Sequence, residues 1–387
     1  MDFPVWPDYA EDEIAAVEAV LRSGKVNYWS GDQGSGFESE FATFVGSRHA
    51  VALANGTLAL EAALYGLGVA DGDEVIVPAR TFIATASSVV MRGAIPVVAD
   101  IDLCSGNLNV ETIKAAHSEK TKAIIVVHLG GWPCDMPGIM AYAEQHGLKV
   151  IEDCAQAHGA EIDGHKVGSF GHAAAFSFCQ DKIISTGGEG GMLVTDDEDV
   201  WRRVWSFKDH GRDYDEVFHR EHGPGHRWFC TTFGTNWRLT EMQSAIGRIQ
   251  LKKLPDWLAI RRSYAAMLID GLSAAQGLNI HVPVDEVRHA YYRFYASIDT
   301  AALNADWNQD RIISEITAEG ISCFHGSCNE IYREKAFESL MRDSYPLPNA
   351  ERSGKNSLAL LLHPTLKEEH IQKTIEVVRA VLKRAVG

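Results

Sequence analysis

Residues 176–191 read Phe-Ser-Phe-Cys-Gln-Asp-Lys-Ile-Ile-Ser-Thr-Gly-Gly-Glu-Gly-Gly. An apolar strand pattern over 173–178 runs into Lys182, whose next neighbours are Ile183 and Ile184, and a glycine-rich turn leads to a second strand pattern over 192–195. Apolar surroundings lower a lysine's pKa and leave its amine nucleophilic, as Schiff-base chemistry requires. Glycines in such a turn let the backbone pass close to a bound ring or sugar. A solvated lysine beside a flexible turn carries the same letters, so the reading turns on what else the chain places nearby.

Toward the N-terminus, short apolar runs at 74–77, 95–99, 123–127 and 149–151 alternate with helical periodicity at 81–92, 110–117 and 135–146. Strands alternating with helices imply crossover connections and a largely parallel sheet covered on both faces. An amphipathic helix precedes them at 11–22, with Gly24 as its stop, and another begins at Asn55-Gly56-Thr57 with Leu60, Leu64 and Leu67 on one face. Toward the C-terminus the pattern turns helical from Leu239, interrupted at Pro255, which predicts a kink and a domain hinge. A strand around Tyr292, Phe294 and Ala296, a helix over 309–319 and an amphipathic helix over 368–385 then describe a smaller α+β domain. The expected division is residues 1–254 and 255–387, in keeping with a 387-residue chain at roughly 150 residues per domain.

The net charge is −16, with 46% hydrophobic and 23% charged residues. That balance argues against a nucleic-acid surface, which needs concentrated positive charge to displace counterions, but leaves room for an anionic small substrate bound by a local cluster of cations. No apolar run approaches the ~20 residues of a membrane-spanning helix. The opening MDFPVWPDYAEDE is acidic, unlike a signal peptide. The seven cysteines at 104, 134, 154, 179, 230, 323 and 328 form no CxxC pair, and reduced thiols in a cytoplasmic protein are expected.

Ligands of an open parallel sheet sit beyond the carboxyl ends of its strands. Asn55-Gly56-Thr57 opens a helix with a small residue and a hydroxyl, an arrangement that either cradles a phosphate or merely caps the helix. Asp153 follows the apolar strand KVIE and precedes Cys154-Ala155-Gln156; it either anchors a cationic ring nitrogen or caps the next helix. Phosphate cup, ring-anchoring acid and lysine follow one another in that order.

In this pattern, carried by NGTLALEAALYGLGVADGDEVIVPARTFIATA, VVHLGGWPCDM, VIEDCAQAHGA, FSFCQDK…GGEGG and GTNWRLTEMQSAIGRIQLKKL, the chain resembles the DegT/DnrJ/EryC1/StrS sugar aminotransferases. These are pyridoxal 5'-phosphate enzymes of the aspartate-aminotransferase fold, fold type I. The resemblance implies an α/β large domain with a mostly parallel seven-stranded sheet and a small C-terminal α+β domain. It implies that Lys182 binds the cofactor's aldehyde, that Asp153 pairs with the pyridine nitrogen, and that Gln156 contacts the cofactor's hydroxyl. Gly56, Thr57 and Ser177 match the phosphate cup, Phe82 the ring stacked on the pyridine, and Asn236 an asparagine that reaches the phosphate from a second subunit, so that a homodimer shares its active sites. L-glutamate would be the donor and a nucleotide-linked keto-sugar the acceptor, feeding surface polysaccharide or a glycosylated metabolite. Relatives with histidine in place of the lysine catalyse dehydration, so Lys182 favours transamination. A non-nucleotide cyclic ketone in antibiotic synthesis and a cofactor-binding regulatory role are the competing readings.

Two features depart from the family pattern. Lys182 and Glu189 are seven residues apart rather than six, and Phe324-His325-Gly326-Ser327-Cys328 replaces a Tyr-x-Pro-Leu-His stretch. His325 either touches substrate or is an ordinary solvated or packed histidine. The run Arg202, Arg203, Lys208, Arg212, Arg220, Arg227, Arg238 either binds a diphosphate or the glutamate carboxylates, with Arg238 the candidate contact, or is plain surface charge. Core packing is expected for most of Trp228, Phe229, Phe233 and Trp237. His158, His165 and His172 recur every seven residues, a spacing that does not suit a structural metal site.

Overall fold

The structure, a computed structural model, describes residues 2–225, 228–340 and 345–386. Arg227 of the basic run lies outside them. Strands β1 (His49–Leu53), β2 (Glu74–Pro78), β3 (Ile95–Ala99), β4 (Thr121–Val127) and β5 (Lys149–Asp153) precede two short strands, β6 (Glu161–Ile162) and β7 (His165–Lys166). After these come β8 (Ala173–Ser177) and β9 (Gly191–Thr195). Seven of them form one sheet in the order β1-β9-β8-β5-β4-β2-β3, with β9 antiparallel to both neighbours and the remaining pairs parallel. The α/β fold read from the alternation is therefore present. The sheet is apolar on both faces, with Val75, Val77 and Ile125 on one side and Ile76, Ile124 and Val126 on the other, all unexposed, as parallel strands between helical layers must be.

Several elements were not read from the sequence, among them β1 and the helix Gln33–Val45. Strand β1 is built from His-Ala-Val-Ala-Leu, too short and too rich in alanine to stand out from a helical pattern, and the helix Gln33–Val45 contains two glycines, which weaken its signal. The register sets the site: Val127 lies opposite Asp153, and Asp153 opposite Ala175. The ends of β4 and β5 thus lie level with one another, and β8 runs two residues further, to Ser177.

The remaining strands are β10 (Leu278–Asn279), β11 (Val287–Arg288), β12 (Arg293–Ile298), β13 (Cys323–Phe324) and β14 (Ser357–Leu361). β10, β12, β14 and β13 form an antiparallel sheet, packed with the helices Gln309–Ala318 and Glu368–Val386 around Phe294, Ile312, Ile316, Leu358 and Val378. The helix Glu241–Leu272 carries Pro255 inside it without ending there. Pro255 thus interrupts no element, and the boundary expected at 254/255 falls within one helix. A proline costs its helix one backbone hydrogen bond; Leu254 and Leu258, both buried on either side of it, supply packing that holds the helix through the position. No described helix is long and apolar enough to cross a membrane.

Candidate active site

Beyond the carboxyl ends of β1, β2, β5 and β8 lies a cavity of about 810 Å³, lined among others by Gly56, Thr57, Phe82, Asp153, Gln156, Ser177 and Lys182. Seven residues singled out from the sequence thus share one space, of the size typical for a cofactor and small substrate.

Asp153 ends β5 and is 6% exposed. Its Oδ2 accepts from the Thr85 hydroxyl at 3.0 Å and its Oδ1 from the Ala155 N–H at 3.1 Å. Burial raises its pKa, and the Ala155 N–H, the Thr85 hydroxyl and the charge of Lys182 offset this only in part. A buried carboxylate short of positive charge is what a protonated ring nitrogen would complete. Gln156 is oriented from both ends: its Oε1 accepts the Gly130 N–H at 2.7 Å and its Nε2 donates to Ser327 Oγ at 3.4 Å.

The helix Gly56–Gly66 begins at the cavity, capped by Asn55, whose side chain accepts the Leu58 N–H at 2.9 Å. The cap takes one of the N–H groups that a helix start leaves without intrahelical acceptors. Those of Gly56 and Thr57 remain beside the cavity that both residues line. A Cβ on Gly56 would stand 2.6 Å from Ser177 Cβ, so only glycine lets the helix approach the end of β8. Helix start, Thr57 hydroxyl and Ser177 hydroxyl make a cradle for a phosphate. Phe82 is 68% exposed, which excludes a core role; its open ring face is a surface on which a flat ligand ring would stack. An acid at the floor, a phosphate cradle, an open aromatic face and an amine fit pyridoxal phosphate.

The Lys182 side chain is 16% exposed, with Nζ 3.5 Å from Asp181 Oδ1 and 5.0 Å from the centre of the Tyr292 ring. Its pKa is raised rather than lowered: burial is the largest influence and pulls it down, but Tyr292, Asp181 and Cys179 together outweigh it. The expected apolar setting is absent because Ile183 and Ile184 are fully buried in the cluster of Phe37, Phe41 and Phe178, while the amine sits among polar groups. The Lys182 carbonyl accepts the Trp6 indole N–H at 2.8 Å, and the Tyr9 hydroxyl meets Ser185 Oγ at 3.0 Å. The N-terminal segment therefore straps the lysine loop in place. Asp181 accepts from the Tyr292 hydroxyl and lies 3.4 Å from Arg293 Nη2. Burial alone would raise its pKa, yet Lys182, Tyr292 and Arg293 hold it below the usual carboxylate value.

Thr85, Tyr292, Arg293 and Trp6 were not read from the sequence as site residues, whereas Phe324, Gly326, Ser327 and Cys328 of the departing stretch do line the cavity. Thr81 and Thr85, whose hydroxyls meet at 2.8 Å, stand one helical turn apart and offered a signal; nothing in the sequence ties Trp6 or Tyr292 to Lys182. Asn236, Arg238 and His325 are not among the described residues that line the cavity. Asn236 is exposed and forms a β-bridge with Asp209, Arg238 pairs with buried Asp209, and His325 Nε2 meets Asp310 Oδ1 at 2.7 Å. Core packing fails for Trp228 and Phe233, which are 83% and 99% exposed, while Trp237 packs against Phe207 at 5.1 Å.

His158, His165 and His172 do not converge: the first is buried against Phe176 and Phe178, the second is exposed on β7, and the third accepts the Val150 N–H. Among the described residues, His128, Glu152 and Cys154 do bring ligand atoms within 4.8 Å. There, however, Glu152 accepts from His128 Nε2 and from the N–H groups of Gly168, Phe170 and Gly171, while His128 Nδ1 accepts the Cys134 N–H. This is a closed hydrogen-bond network that ties the loop 168–171 to the ends of β4 and β5.

Residues 7–379 match the DegT/DnrJ/EryC1/StrS aminotransferase family. The chain is 38% identical to a UDP-N-acetyl-3-dehydro-alpha-D-glucosamine 3-aminotransferase of Acidithiobacillus ferrooxidans, over 91% of this chain and 89% of the other. It is 33% identical to a dTDP-3-amino-3,4,6-trideoxy-alpha-D-glucose transaminase of Streptomyces venezuelae, over 96% and 92%. Its fold superimposes with a TM-score of 0.98 on the crystal structure of an aminotransferase from Psychrobacter cryohalolentis, 49% identical and covering 100% of both chains.

Proposed function

The chain belongs to the DegT/DnrJ/EryC1/StrS aminotransferase family and is a pyridoxal-phosphate-dependent transaminase, and on that premise we propose that it moves the amino group of L-glutamate to a keto-deoxyhexose carried by a nucleoside diphosphate. The observation that carries the reading is the single cavity with Asp153 at its floor, the Gly56–Thr57–Ser177 cradle at one side and Lys182 within it. The names of the two sugar transaminase relatives support the acceptor class.

The bound cofactor supplies an aldehyde that takes up the amino group and a ring that withdraws electrons from the carbon bearing it. Asp153 would hold a proton on the ring nitrogen, and Thr85 with the Ala155 N–H keeps that carboxylate aimed. The cradle of Gly56, Thr57 and Ser177 would hold the phosphate, Gln156 the ring hydroxyl, and Phe82 one face of the ring, all of them residues that line the cavity. With the cofactor bound, the amine of Lys182 would serve as the general base for the proton on the donor's Cα. Asp181 and the Tyr292 hydroxyl keep the amine nearby between these tasks.

A second copy of the chain completes the site in this reading. Asn236 is exposed outside its own cavity, free to reach the partner's phosphate cradle, with Arg238 beside it toward the substrate. His325, at the rim next to the lining residues Phe324 and Gly326, is assigned to the substrate side. The seven cysteines are all free thiols, which suits work in the cytoplasm on glycan precursors.

Borohydride treatment of cofactor-saturated protein followed by peptide mapping is expected to place a reduced pyridoxyl group on Lys182, and Lys182→Ala to lose it. Glutamate with a panel of keto-sugar nucleotides is expected to release 2-oxoglutarate with at least one of them. An unlabelled Lys182, or release with none, overturns the corresponding part.

A further inference from the structure

The proposed reaction demands that one site accept two unlike partners in turn: an amino acid with a carboxylate on the reacting carbon, and a sugar that is uncharged at its reacting carbon. Among the described residues lining the cavity, the cations are Lys182 and Arg293. Lys182 is committed to proton transfer, so the donor's carboxylate needs another receptor.

Arg293 opens β12 and its side chain is 21% exposed toward the cavity. The guanidinium stands 4.9 Å from the Tyr292 ring centre and 5.6 Å from that of Phe324, two aromatic contacts that set its plane. Its Nη2 donates to the Tyr292 hydroxyl at 3.2 Å and to Asp181 Oδ2 at 3.4 Å. The latter is long beside the 2.7–2.9 Å typical of charge-assisted bonds. Asp181 is also half exposed, so giving up the pair costs little. Asp181 itself does not depend on it, because it also meets the Tyr292 hydroxyl and the Lys182 amine.

Resting on the proposed function, we infer that Arg293 is the receptor for the α-carboxylate of the amino donor, and that Asp181 is its resident counterion, displaced when the donor binds and restored for the sugar. The position fits the α-carboxylate because Arg293 and Lys182 contact opposite oxygens of the same Asp181 carboxylate, at 3.4 and 3.5 Å. The guanidinium therefore sits beside the amine that must reach the donor's Cα. A free carboxylate offers two oxygens to the planar fork, a stronger pairing than the single long contact it replaces. The keto-sugar's negative charge lies in its diphosphate, away from the reacting carbon, so in that half of the cycle Asp181 resumes its place on Arg293.

The two half-reactions are tested separately by following the cofactor's visible absorbance in a single turnover. With Arg293→Met, the second-order rate constant for L-glutamate is expected to fall about 10- to 100-fold. The pyridoxamine form is expected to keep its rate with the keto-sugar nucleotide within about threefold. Arg293→Lys, which keeps the charge and loses the fork, is expected to fall between. Calorimetric titration of the cofactor-loaded enzyme with glutarate, which cannot react, is expected to show binding to the wild type and its loss in Arg293→Met. An unchanged glutamate rate, or equal losses in both half-reactions, overturns the assignment. A wild type that accepts glutamate's amine but passes it to no sugar nucleotide refutes the proposed acceptor and leaves Arg293's role standing, whereas one that takes no amine from glutamate removes both.

Discussion

Asp153 carries the most one-sided chemistry of any single residue here. It is buried, bonded to two neutral donors, and has its pKa raised by that burial. A cationic partner in the cavity relieves this, and the same carboxylate then stabilises a positive ring. Asp153→Asn keeps the shape and removes the charge. The expected outcome is a fall of about 10²–10³ in turnover, with borohydride still trapping cofactor on Lys182; undiminished turnover would show that the acid is structural. Lys182 and Asp153 were legible because each ends a recognisable apolar run, and strand ends of a parallel sheet are where ligands gather. Tyr292 and Arg293 were not. They stand at and just before the start of β12, more than a hundred positions along the chain, and the fold alone brings them to the lysine loop, Tyr292 beside the Lys182 amine and on Asp181, Arg293 on Asp181. Even the direction of the lysine's shift was misjudged, since local apolar letters said nothing of Tyr292 or Asp181.

Elements rather than residues decide the phosphate cradle. The helix Gly56–Gly66 meets the end of β8 so closely that a methyl on its first residue would stand 2.6 Å from Ser177 Cβ. Gly56 is needed for space, and its glycine has a packing reason. Gly56→Ala must push the helix start or β8 aside, at about 1–3 kcal/mol of stability. Because that movement spreads the cradle, cofactor affinity measured by fluorescence titration is expected to fall as well. A variant that is less stable yet binds pyridoxal phosphate unchanged would separate helix packing from phosphate binding. The alternating strands and helices were readable from period alone, whereas β1 was hidden by its alanines and the helix Glu241–Leu272 ran through the proline expected to break it. In both, long-range packing decided what local propensity did not.

At the scale of the whole molecule, three buried histidines tie folding to acidity. His158 and His289 are held down to a pKa of about 3 and His363 to about 4, in each case chiefly by burial. A depressed histidine stays neutral in the fold while the unfolded chain takes up protons below about pH 6.5. Stability from these groups is therefore complete above pH 6.5 and is lost as pH falls toward 4, by roughly 2 kcal/mol for each at pH 5. Urea midpoints should drop between pH 6.5 and 5, and His363→Gln should remove about a third of the slope; a flat profile would mean that these rings are charged in the fold. Assembly is the other property of this scale. Phe233 and Trp228 are 99% and 83% exposed on the segment that carries Asn236, and the proposed dimer would cover them with a surface of the second copy. If that surface meets a second copy and Asn236 reaches the neighbouring phosphate cradle, Asn236→Ala should sediment as a dimer, unfold at the wild-type temperature, and release pyridoxal phosphate on dialysis several-fold faster, in line with one lost hydrogen bond to a charged group. Mixed dimers give the decisive arm. With one subunit carrying Lys182→Ala and the other Asn236→Ala, one of the two sites combines both defects while the other has neither, so the site whose Lys182 is intact should release pyridoxal phosphate at the wild-type rate. Release from that site as fast as from the Asn236→Ala dimer would mean that each chain builds its phosphate site alone.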